Sequence, residues 1–272
     1  MPSSADVLRR AARWLRFPAA RRDPLIPPSG LRDVGEGDFI QIGREFLRYF
    51  IELAGLRPDE RVLEAGCGKG RMARALAEYL EIPGRYDGFD IDARSIAWCQ
   101  RAYARRHPNF HFHFADIRNS HYNPGGRFDP SRYRFPFESE FFDFVFLTSV
   151  FTHMLPGPVE NYCSEICRVL KPGGRAFITY FLLPAGAKGG SGDFSFEHAL
   201  PGCRTQSAET PESAVAYEEP AIRALYAKCG LQIWEPIRYG LWRGPGPGFS
   251  YQDLVIAGKI ALPPTEKPCG AR

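Results

Sequence analysis

The segment that decides the fold reads Glu64-Ala65-Gly66-Cys67-Gly68-Lys69-Gly70, between a predicted strand over 62–65 and a helix predicted over 71–80. Glycines allow a tight turn there and let a ligand approach the backbone, where the start of the helix offers free N–H groups. The segment therefore predicts a nucleotide-like ligand, although a purely structural turn in another α/β protein can carry the same glycines.

The spacing of these glycines separates two classes of ligand. The pattern is GxGxG, and Arg71 stands where a dinucleotide-binding GxGxxG motif has its third glycine. Glu64, two residues before the first glycine, favours a cationic ligand over a pyrophosphate, which it would repel. The pattern therefore indicates a sulfonium and an amino group near Glu64 and disfavours NAD.

Two further carboxylates follow the next two predicted strands, at the edge where open α/β sheets bind ligands. Asp90 is expected to accept hydrogen bonds from ribose hydroxyls, and Asp116 from the amine of an adenine. Ile91 and Ile117 are expected to sandwich the ring. Asp92 is the rival of Asp90, although a role as helix cap suits it better, and Asp116 has the alternative role of forming a turn.

Strand-like and helix-like segments alternate along the chain. Such alternation predicts an α/β fold with a mostly parallel sheet and helices on both faces. The last two strands, joined by a short loop, should pair antiparallel. The predicted strands cover 62–65, 86–91, 110–115, 142–147, 175–181, 231–237 and 252–259, and the predicted helices 39–53, 71–80, 95–106, 159–170 and 218–229.

The three acidic positions, in this order, resemble the class I methyltransferases that use S-adenosylmethionine (AdoMet). Two further segments add to the resemblance, Glu138 to Leu147 and Arg168-Val169-Leu170-Lys171-Pro172-Gly173-Gly174, so that it spans about 62–181. It implies a Rossmann-like, doubly wound sheet of seven strands, mostly parallel with the last strand antiparallel. It also implies AdoMet bound across the carboxyl edge and methyl transfer by in-line displacement.

The resemblance assigns roles to residues at the ends of the first four strands. The methionine portion of AdoMet would contact Glu64, Gly66, the backbone of Cys67, Gly68 and Thr148. The ribose and adenine would contact Asp90, Ile91, Asp116 and Ile117. Gln41 and Arg44, on the helix before the sheet, are candidates for closing over the cofactor.

One departure from the resemblance concerns the acceptor. Branches that methylate nucleobase amines carry Asn or Asp, then Pro-Pro and an aromatic residue, after the fourth strand. Here that place reads Leu147-Thr148-Ser149-Val150, which disfavours methylation of a base amine. Asn123-Pro124-Gly125-Gly126 lies elsewhere and predicts a turn.

His153 is the candidate general base for a hydroxyl acceptor. Such an acceptor must lose a proton, and imidazole titrates nearest neutral pH. His153 follows the fourth strand closely, and the resemblance adds that small-molecule O-methyltransferases often have a His in this segment. A structural histidine near the start of the next helix is the alternative.

Other side chains are further candidates for ligands or substrate contacts. Glu197 and His198 lie in a long segment after the fifth strand. Tyr239, Trp242 and Arg243 would suit a sugar or aromatic acceptor unless they pack against the sheet. His111 and His113 share one face of the third strand, but no acid is expected in register with them, so no metal is predicted.

The chain of 272 residues is expected to form one AdoMet-binding methyltransferase domain over 56–262 with appendages. Residues 1–55 would form a helical cap, whose first, amphipathic helix would cover the active site, touch a partner or lie on a membrane. Residues 183–217 are too long for an ordinary connection and form either a substrate lid or a floppy insertion. Residues 263–272 are expected to be a disordered tail.

Composition limits the classes of partner. The formal charge of +4 is not gathered into lysine-rich runs, so no nucleic acid is expected. No stretch approaches the roughly 20 apolar residues of a membrane span. Seven cysteines without CxxC spacing suggest neither a zinc site nor a complete disulfide framework, and the cytoplasm is the simplest location.

The leading hypothesis is an AdoMet-dependent O-methyltransferase that acts on a small molecule or a glycan without a metal. N- or C-methylation of a metabolite is an alternative that would not need a strong base at His153. A catalytically silent AdoMet-binding partner subunit is a second alternative. An NAD-dependent dehydrogenase is disfavoured, and the sequence leaves the oligomeric state open.

Overall fold

The computed structural model describes residues 23–28, 37–186, 194–244 and 248–260. The first predicted helix, within residues 1–22, and the predicted tail over 263–272 lie outside these residues. Residues 187–193 of the predicted insertion also lie outside them.

Seven strands form the main sheet, and four form a smaller one. In chain order they are β1 (Arg61–Ala65), β2 (Arg85–Asp90), β3 (Phe110–Phe114), β4 (Phe142–Leu147), β5 (Leu170–Tyr180), β6 (Leu182–Leu183), β7 (His198–Leu200), β8 (Cys203–Thr205), β9 (Val215–Glu218), β10 (Leu231–Ile233) and β11 (Asp253–Lys259).

The main sheet has the strand order β10-β11-β5-β4-β1-β2-β3. β1 pairs parallel with β4, β4 with β5, and β2 with β3. β11 pairs antiparallel with both β5 and β10. The predicted seven-stranded, mostly parallel sheet with a reversed last strand is confirmed.

Five helices are described, with three short 3₁₀ turns between them. The helices are α1 (Phe39–Glu52), α2 (Arg71–Leu76), α3 (Ala93–Tyr103), α4 (Pro156–Val169) and α5 (Glu219–Lys228), and the turns are Phe151–His153, Pro211–Ser213 and Leu241–Arg243. α1 begins at Asp38, whose side chain accepts from the Gln41 N–H and so satisfies a free donor of the first turn. In the described part of the chain, no helix is long and apolar enough to cross a bilayer.

β4 shows why the main sheet is covered on both faces. It reads Phe-Asp-Phe-Val-Phe-Leu, and every residue except Asp143 is buried. A strand that is apolar and buried at every position but one suits packing on both sides. Asp143 is half-buried and accepts from the Lys171 ammonium at 2.6 Å and from the Arg61 N–H at 2.9 Å.

The predicted turn Lys171-Pro172-Gly173-Gly174 lies inside β5 as an irregularity. Phe142 pairs with Leu170 and Phe144 with Arg175, so five steps along β5 match two along β4. Gly173 has φ +75°, a conformation that favours glycine. The turn chemistry was therefore predicted, but the strand begins before it rather than after it.

The segment predicted as a lid or a floppy insertion contains regular structure in its described part. β6, β9, β8 and β7 form the smaller sheet, in that order. This sheet shares a hydrophobic core with the 3₁₀ turn at 241–243. The core consists of Phe181, Leu183, Phe196, Ala214, Ala216 and Trp242. The strands of this sheet are only two to four residues long, and the interpretation of 183–217 as a substrate lid stays a prediction.

The chain divides into two compact units. The first unit holds the described residues up to Glu60 together with Cys67–Ala115. The second unit holds Arg61–Gly66 and the described residues from Asp116 onward.

A buried carboxylate joins separate segments of the second unit. Asp253 is fully buried, and its Oδ2 accepts from the Leu182 N–H at 2.7 Å and from the Trp242 indole N–H at 2.8 Å. Its Oδ1 accepts from the Gly240 N–H at 2.7 Å. Burial raises the pKa of Asp253, and these three donors oppose that rise.

We expect Asp253→Asn to lower the free energy of unfolding by about 2 to 4 kcal/mol, because an amide NH₂ would face at least one buried N–H donor and leave it unpaired. Chemical denaturation measures this change. Asp59→Asn removes a carboxylate that is exposed, and should change stability by less than about 0.5 kcal/mol. Equal effects of the two variants would contradict the structural role of Asp253.

Candidate functional site

The glycine segment links β1 to α2 with three residues of positive φ. Gly66 has φ +85°, Gly68 +48° and Gly70 +74°, all in the region that favours glycine. Gly66 also has no room for a side chain, since an added Cβ would lie 2.3 Å from Cγ2 of Val150. The segment that follows β4 therefore packs directly against the backbone at the end of β1.

Asp90 is bonded to the glycine segment within the first unit. Its Oδ2 accepts from the Gly68 N–H at 2.6 Å, and its Oδ1 accepts from the Asp92 N–H at 2.8 Å. Burial raises the pKa of Asp90, while these N–H donors stabilise the charged form. Cys67, buried in the same segment, donates its N–H to the Phe89 carbonyl, so β2 and the glycine segment hold each other in place.

Asp92 has the role of helix cap. Its Oδ1 accepts from the Arg94 N–H at 3.0 Å, and its Oδ2 accepts from the Ser95 hydroxyl. Both bonds lie in the first turn of α3. Asp90 is therefore the carboxylate at the end of β2 that takes no part in capping the helix.

Glu64 and Thr148 end neighbouring strands of the second unit. Glu64 is 2 % exposed and pairs in register with Phe146 of β4. Thr148 directly follows β4 and is half-buried. A carboxylate as buried as Glu64 needs polar partners, because burial of an unpaired charge is costly.

Asp116 has a protein partner that the sequence did not predict. Its carboxylate accepts from Nε of Arg127 at 2.7 Å and from Nδ2 of Asn123 at 3.4 Å. The Arg127 hydrogen bond is the main cause that lowers the pKa of Asp116. The predicted Asn123-Pro124-Gly125-Gly126 turn brings Arg127 back to this position, since the Phe128 N–H donates to the Asp116 carbonyl.

The two isoleucines predicted beside the adenine differ in burial. Ile117 is 2 % exposed and forms an isolated parallel bridge with Phe128. Ile91 is half-buried. Of these two side chains, Ile91 has the greater surface available for a ring.

His153 ends the 3₁₀ turn after β4 and is held on both ring nitrogens. Nδ1 lies 3.2 Å from the Glu212 carbonyl oxygen, and Nε2 lies 3.5 Å from the Tyr122 hydroxyl. A carbonyl oxygen can only accept, so Nδ1 carries the hydrogen and Nε2 keeps its lone pair. Burial is the main cause that lowers the pKa of His153, which keeps the ring neutral near pH 7.

Four residues around His153 were missed by the sequence reasoning. The Glu212 carboxylate accepts from the Ser120 N–H at 2.6 Å and from its hydroxyl, and so joins the 3₁₀ turn at 211–213 to the segment after β3. Asn119 donates to the His153 carbonyl at 2.9 Å, and the Tyr122 ring packs edge-on against the imidazole. Asn119, Ser120 and Tyr122 could have been predicted as site residues from their positions shortly after the third strand. Glu212 could not, because no sequence pattern places the turn at 211–213 near His153.

Two of the further candidates have structural roles. Trp242, predicted as part of an acceptor platform, is fully buried in the core of the smaller sheet, which overturns that interpretation. The expectation that no acid lies near the histidines of β3 was also wrong. Asp87 pairs in register with His111, and its Oδ1 lies 3.1 Å from Nε2 of His113.

Of the remaining candidates, Tyr239 and Arg243 form hydrogen bonds within the second unit, and Glu197 and His198 are exposed at its surface. The Tyr239 hydroxyl donates to Glu219, and Arg243 donates to the Leu182 carbonyl. Across the residues that the structure describes, no three His, Cys, Asp or Glu side chains are placed to hold a metal ion.

The region around the glycine segment is similar to known methyltransferases. Residues 62–174 match the family model described as methyltransferase domain. The chain is similar to a SAM-dependent methyltransferase from Methanosarcina mazei, with 20% identity, 76% of this chain and 95% of that chain covered, and a TM-score of 0.51. A SAM-dependent methyltransferase from Aquifex aeolicus matches with 16% identity, 86% and 100% coverage, and a TM-score of 0.53.

The same fold also occurs in a protein described by another reaction. The 4+2 cyclase SpnF matches with 17% identity, 84% of this chain and 86% of that chain covered, and a TM-score of 0.55. At these identities the structural likeness shows the fold, and the reaction has to be argued from the site.

Proposed function

We propose that this chain is an AdoMet-dependent methyltransferase that methylates a hydroxyl of a small-molecule or saccharide acceptor, with His153 as the general base. The match of residues 62–174 to a methyltransferase domain and the fold shared with SAM-dependent methyltransferases support this proposal. The observation that carries the proposal is the tautomer of His153. Its Nδ1–H is bound to the Glu212 carbonyl, so the lone pair of Nε2 is the one available to a substrate proton.

The cofactor roles follow from the ends of the strands. We assign the ribose hydroxyls to Asp90, which has one accepting site on each oxygen beyond its N–H partners. The methionine portion is assigned to Glu64, Gly66, Cys67, Gly68 and Thr148. Ile91 is assigned to the adenine face, and Asp116 and Ile117 to the adenine amine, which requires Asp116 to share its carboxylate with Arg127.

AdoMet, when bound, would supply an activated methyl group on a sulfonium and leave as S-adenosylhomocysteine. His153 Nε2 would take the proton of the acceptor hydroxyl as that oxygen receives the methyl group. The Glu212 carbonyl then stabilises the imidazolium through the Nδ1–H bond. The Tyr122 hydroxyl, 3.5 Å from Nε2, occupies the place that an acceptor hydroxyl would take and must yield it.

The setting of the enzyme is part of the same proposal. The six described cysteines form no disulfide with one another, which supports a reducing compartment such as the cytoplasm. No nucleic-acid partner is proposed.

We expect Asp90→Asn to weaken AdoMet binding at least tenfold, because the amide would lose one accepting oxygen and oppose a backbone N–H of the glycine segment. Titration calorimetry measures the affinity, and thermal unfolding gives a second readout, since AdoMet should raise the Tm of the wild type while NADH should not. Asp129→Asn, at an exposed aspartate, is the matched control. A Tm increase with NADH alone would refute the cofactor assignment.

We expect His153→Ala to lower kcat by roughly 10² to 10⁴ and to leave AdoMet affinity within about twofold, because only proton removal is lost. The measurement is turnover of labelled AdoMet against hydroxylated metabolites and saccharides, with the product identified by mass. His198→Ala, at an exposed histidine of the same unit, should keep full activity.

The pH profile provides a separate test of the base. The free base is the active form, so kcat should fall as pH decreases through the lowered pKa of His153, at a pH below the ordinary value of about 6.5. An unchanged kcat in His153→Ala, with methylated product still formed, would favour N- or C-methylation. Binding of AdoMet without any methylated product would favour a silent partner subunit.

A further inference from the structure

Three polar side chains from separate strand ends form a hydrogen-bonded group in the second unit. The Ser149 N–H donates to Oγ1 of Thr179 at 2.8 Å. The Thr179 hydroxyl donates to Oε1 of Gln252 at 2.6 Å, and the Ser149 hydroxyl donates to the same oxygen at 3.1 Å. Ser149 follows β4, Thr179 lies near the end of β5, and Gln252 precedes β11.

This group fixes the orientation of the Gln252 amide. Thr179 is 1 % exposed, and its Oγ1 already accepts from the Ser149 N–H. Its own hydrogen therefore needs an acceptor, which only the carbonyl end of the amide can provide. The Nε2 end of Gln252 consequently points away from the group, and it donates to none of the described residues.

The backbone of Ser149 is held in an unusual conformation. Its φ is +57°, in the left-handed region that non-glycine residues rarely adopt. Such strain persists when surrounding contacts impose it, and it concentrates at functional sites. The Ser149 N–H is held here by Oγ1 of Thr179, and the side chain of the next residue, Val150, fills the space that a Cβ on Gly66 would need.

Ser149 and Gln252 together present an uncharged hydrogen-bond acceptor and an uncharged hydrogen-bond donor. Gln252 presents two N–H donors, and Ser149, whose hydrogen is used internally, presents the lone pairs of its hydroxyl oxygen. The adjacent Asp253 is buried and bound to its own donors. A donor beside an acceptor, without a net charge, matches a pair of neighbouring hydroxyl groups better than a carboxylate or a phosphate.

We propose that Ser149 and Gln252 bind two neighbouring hydroxyls of the acceptor, so that the acceptor is a polyol or a saccharide. One hydroxyl accepts from Nε2 of Gln252, and the other donates to Oγ of Ser149. This inference rests on the proposed function, since it names the acceptor class, and it assigns binding to residues other than the base.

The test uses the full chain saturated with S-adenosylhomocysteine, which cannot react. Saturation-transfer NMR against the methyl glycosides of glucose, galactose, mannose, rhamnose and fucose identifies a binding sugar, and titration gives its Kd. Gln252→Glu keeps an acceptor for Thr179 and Ser149 but removes the NH₂ donor, so binding should weaken about tenfold or more. Ser149→Ala should weaken it about three- to tenfold, the range for one neutral hydrogen bond.

The controls separate this inference from the proposed base. Gln232→Glu introduces the same charge at an exposed glutamine of β10 and should leave glycoside binding unchanged. In a His153→Ala background, Gln252→Glu should still weaken glycoside binding about tenfold or more, so the two variants report on different residues. The inference is overturned if no glycoside binds the wild-type complex, or if Gln252→Glu binds it as tightly as the wild type does.

Discussion

The buried carboxylate of Asp253 is the interaction on which the second unit depends most. Its three N–H donors come from the start of the smaller sheet, from the loop before β11 and from the indole of Trp242. An ionised group in a dry interior is tolerated only where several donors converge on it. Those donors therefore bind the last strand to the segment that follows β5.

This anchoring has a consequence for the acceptor side of the molecule. Gln252 is the neighbour of Asp253, so the carboxylate that fixes the start of β11 also fixes the position of the Gln252 amide. The amide in turn receives the hydroxyls of Ser149 and Thr179. A structural group and the proposed acceptor-binding group are thus consecutive residues, each held by hydrogen bonds to other segments of the second unit.

The sequence was sufficient for the main sheet because its signals are local. The run Phe142–Leu147 is apolar except for Asp143, and the glycine segment marks the turn from β1 to α2. The smaller sheet gave no such signal, because strands of two to four residues are too short for a periodic pattern. Its core unites Phe181 with Phe196 and Trp242, which only tertiary packing brings together.

The same distinction applies to the candidate site. The positions of Asp90, Asp116 and His153 after strands could be read from the chain, but their partners could not. Arg127 reaches Asp116 through a turn, and the Glu212 carbonyl reaches His153 across 59 residues of sequence. Partners of this kind depend on where loops return, which strand periodicity does not encode.

Burial determines the charge of the proposed base, and its distant partner Glu212 determines its tautomer. A positively charged imidazole would repel a sulfonium, so a base beside AdoMet has to be neutral before the reaction. Burial lowers the pKa of His153 and keeps it neutral, and the bond to Glu212 selects the tautomer with a free Nε2. In the proposed reaction, methyl transfer would remove the sulfonium charge as Nε2 takes the proton, so the base and the cofactor would not be cations at the same time.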